Sequence, residues 1–82
     1  MNYDIEFKPR AVKDLKGLPK SAQRRILAKI ERLGNDLAGD VKRLTDFTPE
    51  YRLRVGDYRV LFEVEESTVV VYGILHRKDA YK

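Results

Sequence analysis

The stretch Tyr51-Arg-Leu-Arg-Val-Gly-Asp-Tyr-Arg-Val-Leu-Phe-Glu-Val64 constrains this chain more than any other, because it alternates on both sides of Gly56-Asp57. Side chains along a strand point to alternate faces, and a Gly-Asp pair suits a two-residue hairpin turn. Folded on that turn, Val55 faces Tyr58, Arg54 faces Arg59, Leu53 faces Val60 and Arg52 faces Leu61. One face carries Tyr51, Leu53, Val55, Tyr58, Val60, Phe62 and Val64 and belongs on a core. The other carries Arg52, Arg54 and Arg59. Like charges directly opposite one another destabilise a sheet, so Arg54 and Arg59 point to an anionic ligand. A solvated face, with arginine stems over apolar surface and heads in water, is the other reading.

The core face needs a cover, and the N-terminal half supplies one. Tyr3, Ile5 and Phe7 alternate with Asp4 and Glu6 as in a half-buried strand, which Pro9 closes. Pro9 suits a first helical turn, and Ala11, Val12 and Leu15 follow at helical spacing up to Gly17. After Leu18-Pro19 a second stripe runs through Ala22, Ile26, Ile30 and Leu33, with Leu27 beside it, and stops at Gly34-Asn35. The expectation is a helix hairpin whose stripes cover one face of the sheet. From Asp36 to Glu50 the periodicity fades into an ordered loop with room for one helical turn. Thr68 to His76 is a β-branched run that reads as a last strand paired with the second hairpin strand. A three-residue turn before it puts Val70, Tyr72, Ile74 and His76 on the core face; a four-residue turn puts them beside the arginines. The class is α+β, in the order β-α-α-β-β-β, with the helix hairpin on a small, mostly antiparallel sheet and residues 1–82 forming a single domain.

Eighty-two residues hold one core, and the absence of cysteine removes disulfides and thiolate metal sites. The longest apolar run, Val69 to Leu75, is far short of a membrane span, and no signal peptide is legible, so the expected location is cytoplasmic and no membrane partner is expected. A net charge of +4 favours an anionic partner, whether nucleic acid, an acidic protein segment or a membrane surface. Part of that charge lies on the second helix, at Arg24, Arg25 and Lys29, and part on the strands and tail, including Arg77 and Lys78. No nucleotide-binding glycine loop is present, and with one histidine and no cysteine no ordinary zinc site can be built; no cofactor or metal is expected.

What remains is arginine next to the tail His76-Arg-Lys-Asp-Ala-Tyr81. If the chain turns helically after His76, Arg77 and Tyr81 stand at i and i+4 on one face. Several arginines near one tyrosine favour its phenolate and lower its pKa from the usual value of about 10. Cleavage of RNA by its own 2′-hydroxyl needs a base at the 2′ oxygen, positive charge around the phosphorane and an acid at the leaving 5′ oxygen. Arginine fits the second role, Tyr81 can act as the base, and His76 or Arg77 can act as the acid. The plainer readings are a tail tyrosine that packs its ring and a strand-end histidine with satisfied hydrogen bonds.

The order of strand, helix hairpin, Tyr51-Arg-x-Arg-x-Gly-x-Tyr-Arg59 and a β-branched strand running into His76-Arg-Lys-Asp-Ala-Tyr81 resembles the RelE toxins of bacterial toxin–antitoxin systems, within the RelE/ParE superfamily. The resemblance covers essentially the whole chain. It implies a microbial-RNase-like α+β fold and a metal-independent, ribosome-dependent endoribonuclease, an mRNA interferase that cuts message in the A site and so inhibits translation. It also implies a cognate antitoxin, through which alone operator DNA is contacted. Carried over by motif, the catalytic positions are Arg52, Arg54, Arg59, Arg77 and Tyr81. Arg24, Arg25 and Lys29, with Lys78 on the tail, fall to ribosomal or messenger RNA. Where this chain has Arg52 and Arg54 the RelE branch often has lysine. Arginine effectively cannot give up its proton, so both are assigned to phosphate binding and charge stabilisation, and Tyr81 becomes the favoured base. The alternative is a ParE-like DNA gyrase inhibitor without nuclease activity.

Overall fold

The computed structural model describes residues 2–79, so Tyr81 lies outside the described residues. The elements are β1 (Asp4–Phe7), α1 (Pro9–Lys16), α2 (Lys20–Leu33), β2 (Val41–Arg43), β3 (Tyr51–Val55), β4 (Tyr58–Glu65), β5 (Thr68–His76) and a 3-10 turn (Arg77–Asp79). They build a five-stranded sheet in the order β1-β5-β4-β3-β2. β1 runs parallel to β5, and every other pairing is antiparallel. Among the described residues no helix is long and apolar enough to cross a membrane.

The hairpin has the expected register, with Arg54 opposite Arg59 and Val55 opposite Tyr58. Gly56 takes φ +57°, a left-handed conformation that suits glycine at the first central position of a tight hairpin turn. The apolar face of β3 and β4 lies on the core, with Leu53, Val60 and Phe62 at most 1% exposed and Phe62 stacked on Tyr51 at 5.4 Å. From α2, Ala22, Ile26, Ile30 and Leu33 close over that face. Leu27, at the margin of the same stripe, stays 41% exposed. Helix α1 lies along β5 and β1 and contributes Ala11 to the core.

Two features differ from the sequence reading. The segment expected as a loop contains β2, which adds an outer strand beside β3 and brings the order to β-α-α-β-β-β-β. Three alternating residues are too few to signal a strand, and β2 exists because β3 offers it a free edge. Leu37 and Val41 from this segment pack on the core. Gly39, at φ +127°, lets the backbone approach Leu53 where a Cβ would collide with Leu53 Cδ1.

The second difference is the facing of β5, for which neither alternative holds along the whole strand. Glu65 pairs with Thr68 across a two-residue turn, which sets Val69 and Val71 on the core face. A β-bulge then intervenes: Leu61 pairs with Gly73 and Phe62 with Val71, leaving Tyr72 as the extra residue. The alternation resets, and Ile74 and His76 share a face with Val60 and Tyr58. Beyond the bulge β1 no longer pairs with β5. Asp14 of α1 takes over the exposed backbone, its Oδ2 accepting the Ile74 N–H at 3.0 Å. A helix side chain thus satisfies an edge donor that a longer β1 would otherwise have met.

Candidate functional site

Adding β2 lengthens the charged face by one strand. Lys42 stands opposite Arg52, and Arg54 opposite Arg59, so two neighbouring cross-strand pairs have like charge. Opposed residues in an antiparallel ladder have Cα atoms about 4.5–5.5 Å apart, and each such pair works against the sheet. The four side chains line an open groove of about 440 Å³, together with Arg43 and the Leu44–Phe47 part of the following loop. That loop is held from below. Glu50 N donates to Glu63 Oε1 at 2.6 Å, Leu44 N donates to Glu50 O at 2.6 Å, and Arg43 pairs with Glu50 at 3.3 Å. At the groove Phe47 presents a ring that is 44% exposed.

One carboxylate reaches into the cluster. Asp40 lies 2.6 Å from Arg54 Nε through Oδ2 and 3.5 Å from Arg52 Nη1 through Oδ1. The Arg52 side chain is only 12% exposed, and its Nε is buried with no hydrogen-bond partner among the described residues. A buried donor left unmet costs about 1–3 kcal/mol, which makes Arg52 Nε a position where a further acceptor would be favourable. Arg59 folds back on the turn, with Nη1 donating to Gly56 O at 2.9 Å and to Tyr58 O at 3.0 Å.

Arg77 arrives at the same turn from the tail. Its N–H donates to Asp57 O at 2.6 Å, and its Nε lies 3.7 Å from Asp57 Oδ1. Arg25 of α2 also reaches Gly56, where its guanidinium fills the space a side chain at that position would need. The tight Gly56-Asp57 turn therefore gathers Arg25, Arg59 and Arg77 at one end of the sheet, next to Arg54. Arg24 and Lys29 are exposed on α2, and Lys78 is exposed on the tail. His76 stands apart from the groove. It shares the helix-facing side of the sheet with Tyr58, rings edge to face at 5.6 Å, and its Nδ1 accepts the Lys78 N–H at 3.4 Å. Arg77–Asp79 form a 3-10 turn; Tyr81, whose pairing with Arg77 on a helical turn was expected, lies outside the described residues.

The sequence reading missed Asp40, Lys42, Arg43 and Phe47. Their signal was faint: a three-residue alternation at 41–43 and one aromatic residue in a polar loop. Beside the arginines the same sheet face turns apolar. Leu61 neighbours Arg52 and Leu75 neighbours Arg59, and both line a second depression, of about 330 Å³, with Tyr72 and Pro49. Cations flanked by apolar and aromatic surface suit a ligand with phosphates and flat bases.

Fold and groove define a small α+β domain with a cationic sheet face of the kind that holds a polyanion. A family model described as the ParE toxin of the type II toxin–antitoxin system parDE matches residues 5–81. The protein "Toxin RelE3" of Methanocaldococcus jannaschii is 39% identical over 94% of this chain and 93% of its own length. A RelB–RelE antitoxin–toxin complex from Methanococcus jannaschii contains a similar chain, with a TM-score of 0.76, 36% identity and coverage of 93% of this chain and 94% of that one. The archaeal RelE–RelB complex from Pyrococcus horikoshii OT3 contains another, with a TM-score of 0.78, 30% identity and coverage of 98% and 100%. The chain belongs to the RelE toxin family and is a toxin of the type II toxin–antitoxin class.

Proposed function

We propose that this toxin is a ribosome-dependent endoribonuclease that cuts mRNA in the A site. The observation that carries the reading is the double like-charge pairing, Lys42 with Arg52 and Arg54 with Arg59, on an open sheet face. Opposed like charges work against the sheet, and such local conflicts are expected at functional sites. In this reading Arg52, Arg54 and Arg59 bind the scissile phosphate and stabilise the charge that develops as the 2′ oxygen attacks phosphorus. Tyr81, as the phenolate, takes the 2′-hydroxyl proton, and Arg77 gives a proton to the leaving 5′ oxygen and regains one from solvent. The products are a 2′,3′-cyclic phosphate and a 5′-hydroxyl end. No cofactor or metal enters this scheme. His76, facing the helices, has no part in it.

Arginines hold the phosphate and stabilise its charge but do not orient the 2′-hydroxyl, so the attacking group must be delivered in line by something else. The ribosome supplies that orientation, with Arg24, Arg25, Lys29 and Lys78 contacting RNA around the site. A cognate antitoxin holds the toxin inactive and is the route by which operator DNA is contacted. Support comes from relatives solved as RelB–RelE complexes and from a groove whose charge matches an acidic antitoxin segment.

The ParE description of the matching family model favours a second reading, inhibition of DNA gyrase by binding. Controlled expression in bacteria separates the two, with protein synthesis and plasmid supercoiling followed together. Nuclease action predicts arrested synthesis on fragmented message with supercoiling intact at onset. Loss of supercoiling with message intact sinks the nuclease reading in favour of gyrase.

A further inference from the structure

We infer that Asp40 holds the place of the RNA phosphate in the free protein, so that substrate binding exchanges one anion for another. The inference rests on the reading of the groove as a phosphate site. Asp40 is tied to β3 in two separable ways. Its carbonyl accepts from Arg54 N at 3.0 Å and from Arg52 Nη1 at 3.3 Å, contacts that fix the backbone at the start of β2. Its carboxylate takes Arg54 Nε at 2.6 Å and Arg52 Nη1 at 3.5 Å, contacts that fix nothing but the two guanidinium groups. The side chain is 47% exposed, so the carboxylate can swing into water while the backbone stays paired.

Carboxylate and phosphate oxygens satisfy the same guanidinium donors, so the two compete directly for Arg52 and Arg54. While Asp40 is in place, both arginines are tied to it at the groove and partly neutralised. Substrate must release them before it gains them. Asp40 is therefore a positioning residue that also sets a threshold: a single phosphate gains too little to displace it, whereas a strand with several phosphates along the groove gains enough. It is a filter for polyanions and a brake on the binding of free RNA.

The test is equilibrium binding of a fluorescent single-stranded RNA carrying 2′-O-methyl groups throughout, which cannot be cut, to wild-type protein, Asp40→Asn, Arg54→Ala, Arg59→Ala and the double variant D40N/R54A over a series of salt concentrations. Asp40→Asn should bind about three- to tenfold tighter at low salt, the range expected for freeing one exposed and one partly enclosed ion pair. Its log affinity should fall more steeply with log salt, by about 0.7–1.4 in slope, because one or two more counterions are released. In the Arg54→Ala background most of the gain should vanish. Unchanged affinity and slope, or an equal gain without Arg54, overturns the inference.

A measurement on the wild type removes any dependence on the variant folding: side-chain carboxylate 13C and arginine Nε–H resonances followed as the RNA is added. The Asp40 and Arg54 signals should move together, and an Asp40 signal unmoved at saturation overturns the exchange. Wild-type binding that Arg59→Ala abolishes and Asp40→Asn leaves alone defeats only the role of Asp40. RNA binding indifferent to both Arg54 and Arg59 defeats the phosphate groove and this inference with it.

Discussion

Lys42→Glu is predicted to make the fold more stable and the groove poorer at holding RNA. Lys42 faces Arg52 across the β2–β3 ladder. Turning an opposed like-charge pair into an opposite-charge pair gains roughly 0.5–1.5 kcal/mol on the cross-strand scale. Lys42 is exposed, and Asp40 two residues away repels the new carboxylate, so the gain falls at the lower end, about 0.5–0.8 kcal/mol. In a domain of 82 residues each kcal/mol moves Tm by about 4–8 °C, which gives a rise of about 2–6 °C. Thermal melts followed by circular dichroism at low and high salt test the cause as well as the size, since a charge effect shrinks when salt screens it. Lys42→Ala should fall between the two. The functional side is read from single-stranded RNA binding: a groove made two charges less positive loses about 1.4 from the salt slope. A lower Tm, a gain insensitive to salt, or an unchanged slope would refute the reasoning.

Other expectations bear on particular contacts. Glu66 sits in the β4–β5 turn at φ +57°, where a side chain is strained, so Glu66→Gly should raise the denaturation midpoint by the equivalent of about 0.5–1 kcal/mol; a fall would show that the turn depends on the glutamate. Asp14→Ala leaves the Ile74 N–H unmet beside the bulge and should destabilise by about 1–3 kcal/mol in urea melts, with Asp14→Asn recovering most of the loss. Phe47→Ala should weaken single-stranded RNA binding by about 5- to 100-fold through lost base stacking; an equal loss for Phe47→Tyr would argue against stacking.

Local signals made the hairpin legible. Strict alternation around Gly56-Asp57 leaves one register that buries Leu53, Val60 and Phe62 together, and the structure has it. The α2 stripe was legible for the same reason, since only one helical face can bury Ala22, Ile26, Ile30 and Leu33. The facing of β5 was not, because it depends on a bulge at Tyr72 and on Asp14, an acceptor 60 positions earlier in the chain. Half of the groove was hidden likewise. Lys42 and Asp40 become partners of Arg52 and Arg54 only once β2 has paired with β3, and nothing local in three residues foretells that pairing. The arginines themselves were legible from their conflict: alternation placed Arg54 against Arg59, and that repulsion called for an anion. For His76, strand parity sets where the ring lies, because the bulge turns it toward Tyr58 and away from the arginine face.

The central claim is that the arginine groove cuts ribosome-bound message, and mapping the ends it leaves tests this most directly. A defined mRNA in a bacterial translation extract is incubated with wild-type protein, the Arg54→Ala/Arg59→Ala double variant, Arg77→Ala or Tyr81→Phe, with and without ribosomes, and both new termini are identified. The account predicts 5′-hydroxyl and 2′,3′-cyclic phosphate ends within A-site codons that require ribosomes, disappear in the double variant and fade in the two tail variants. Undiminished cleavage by the double variant, or no cleavage by wild-type protein that still arrests growth, would contradict it.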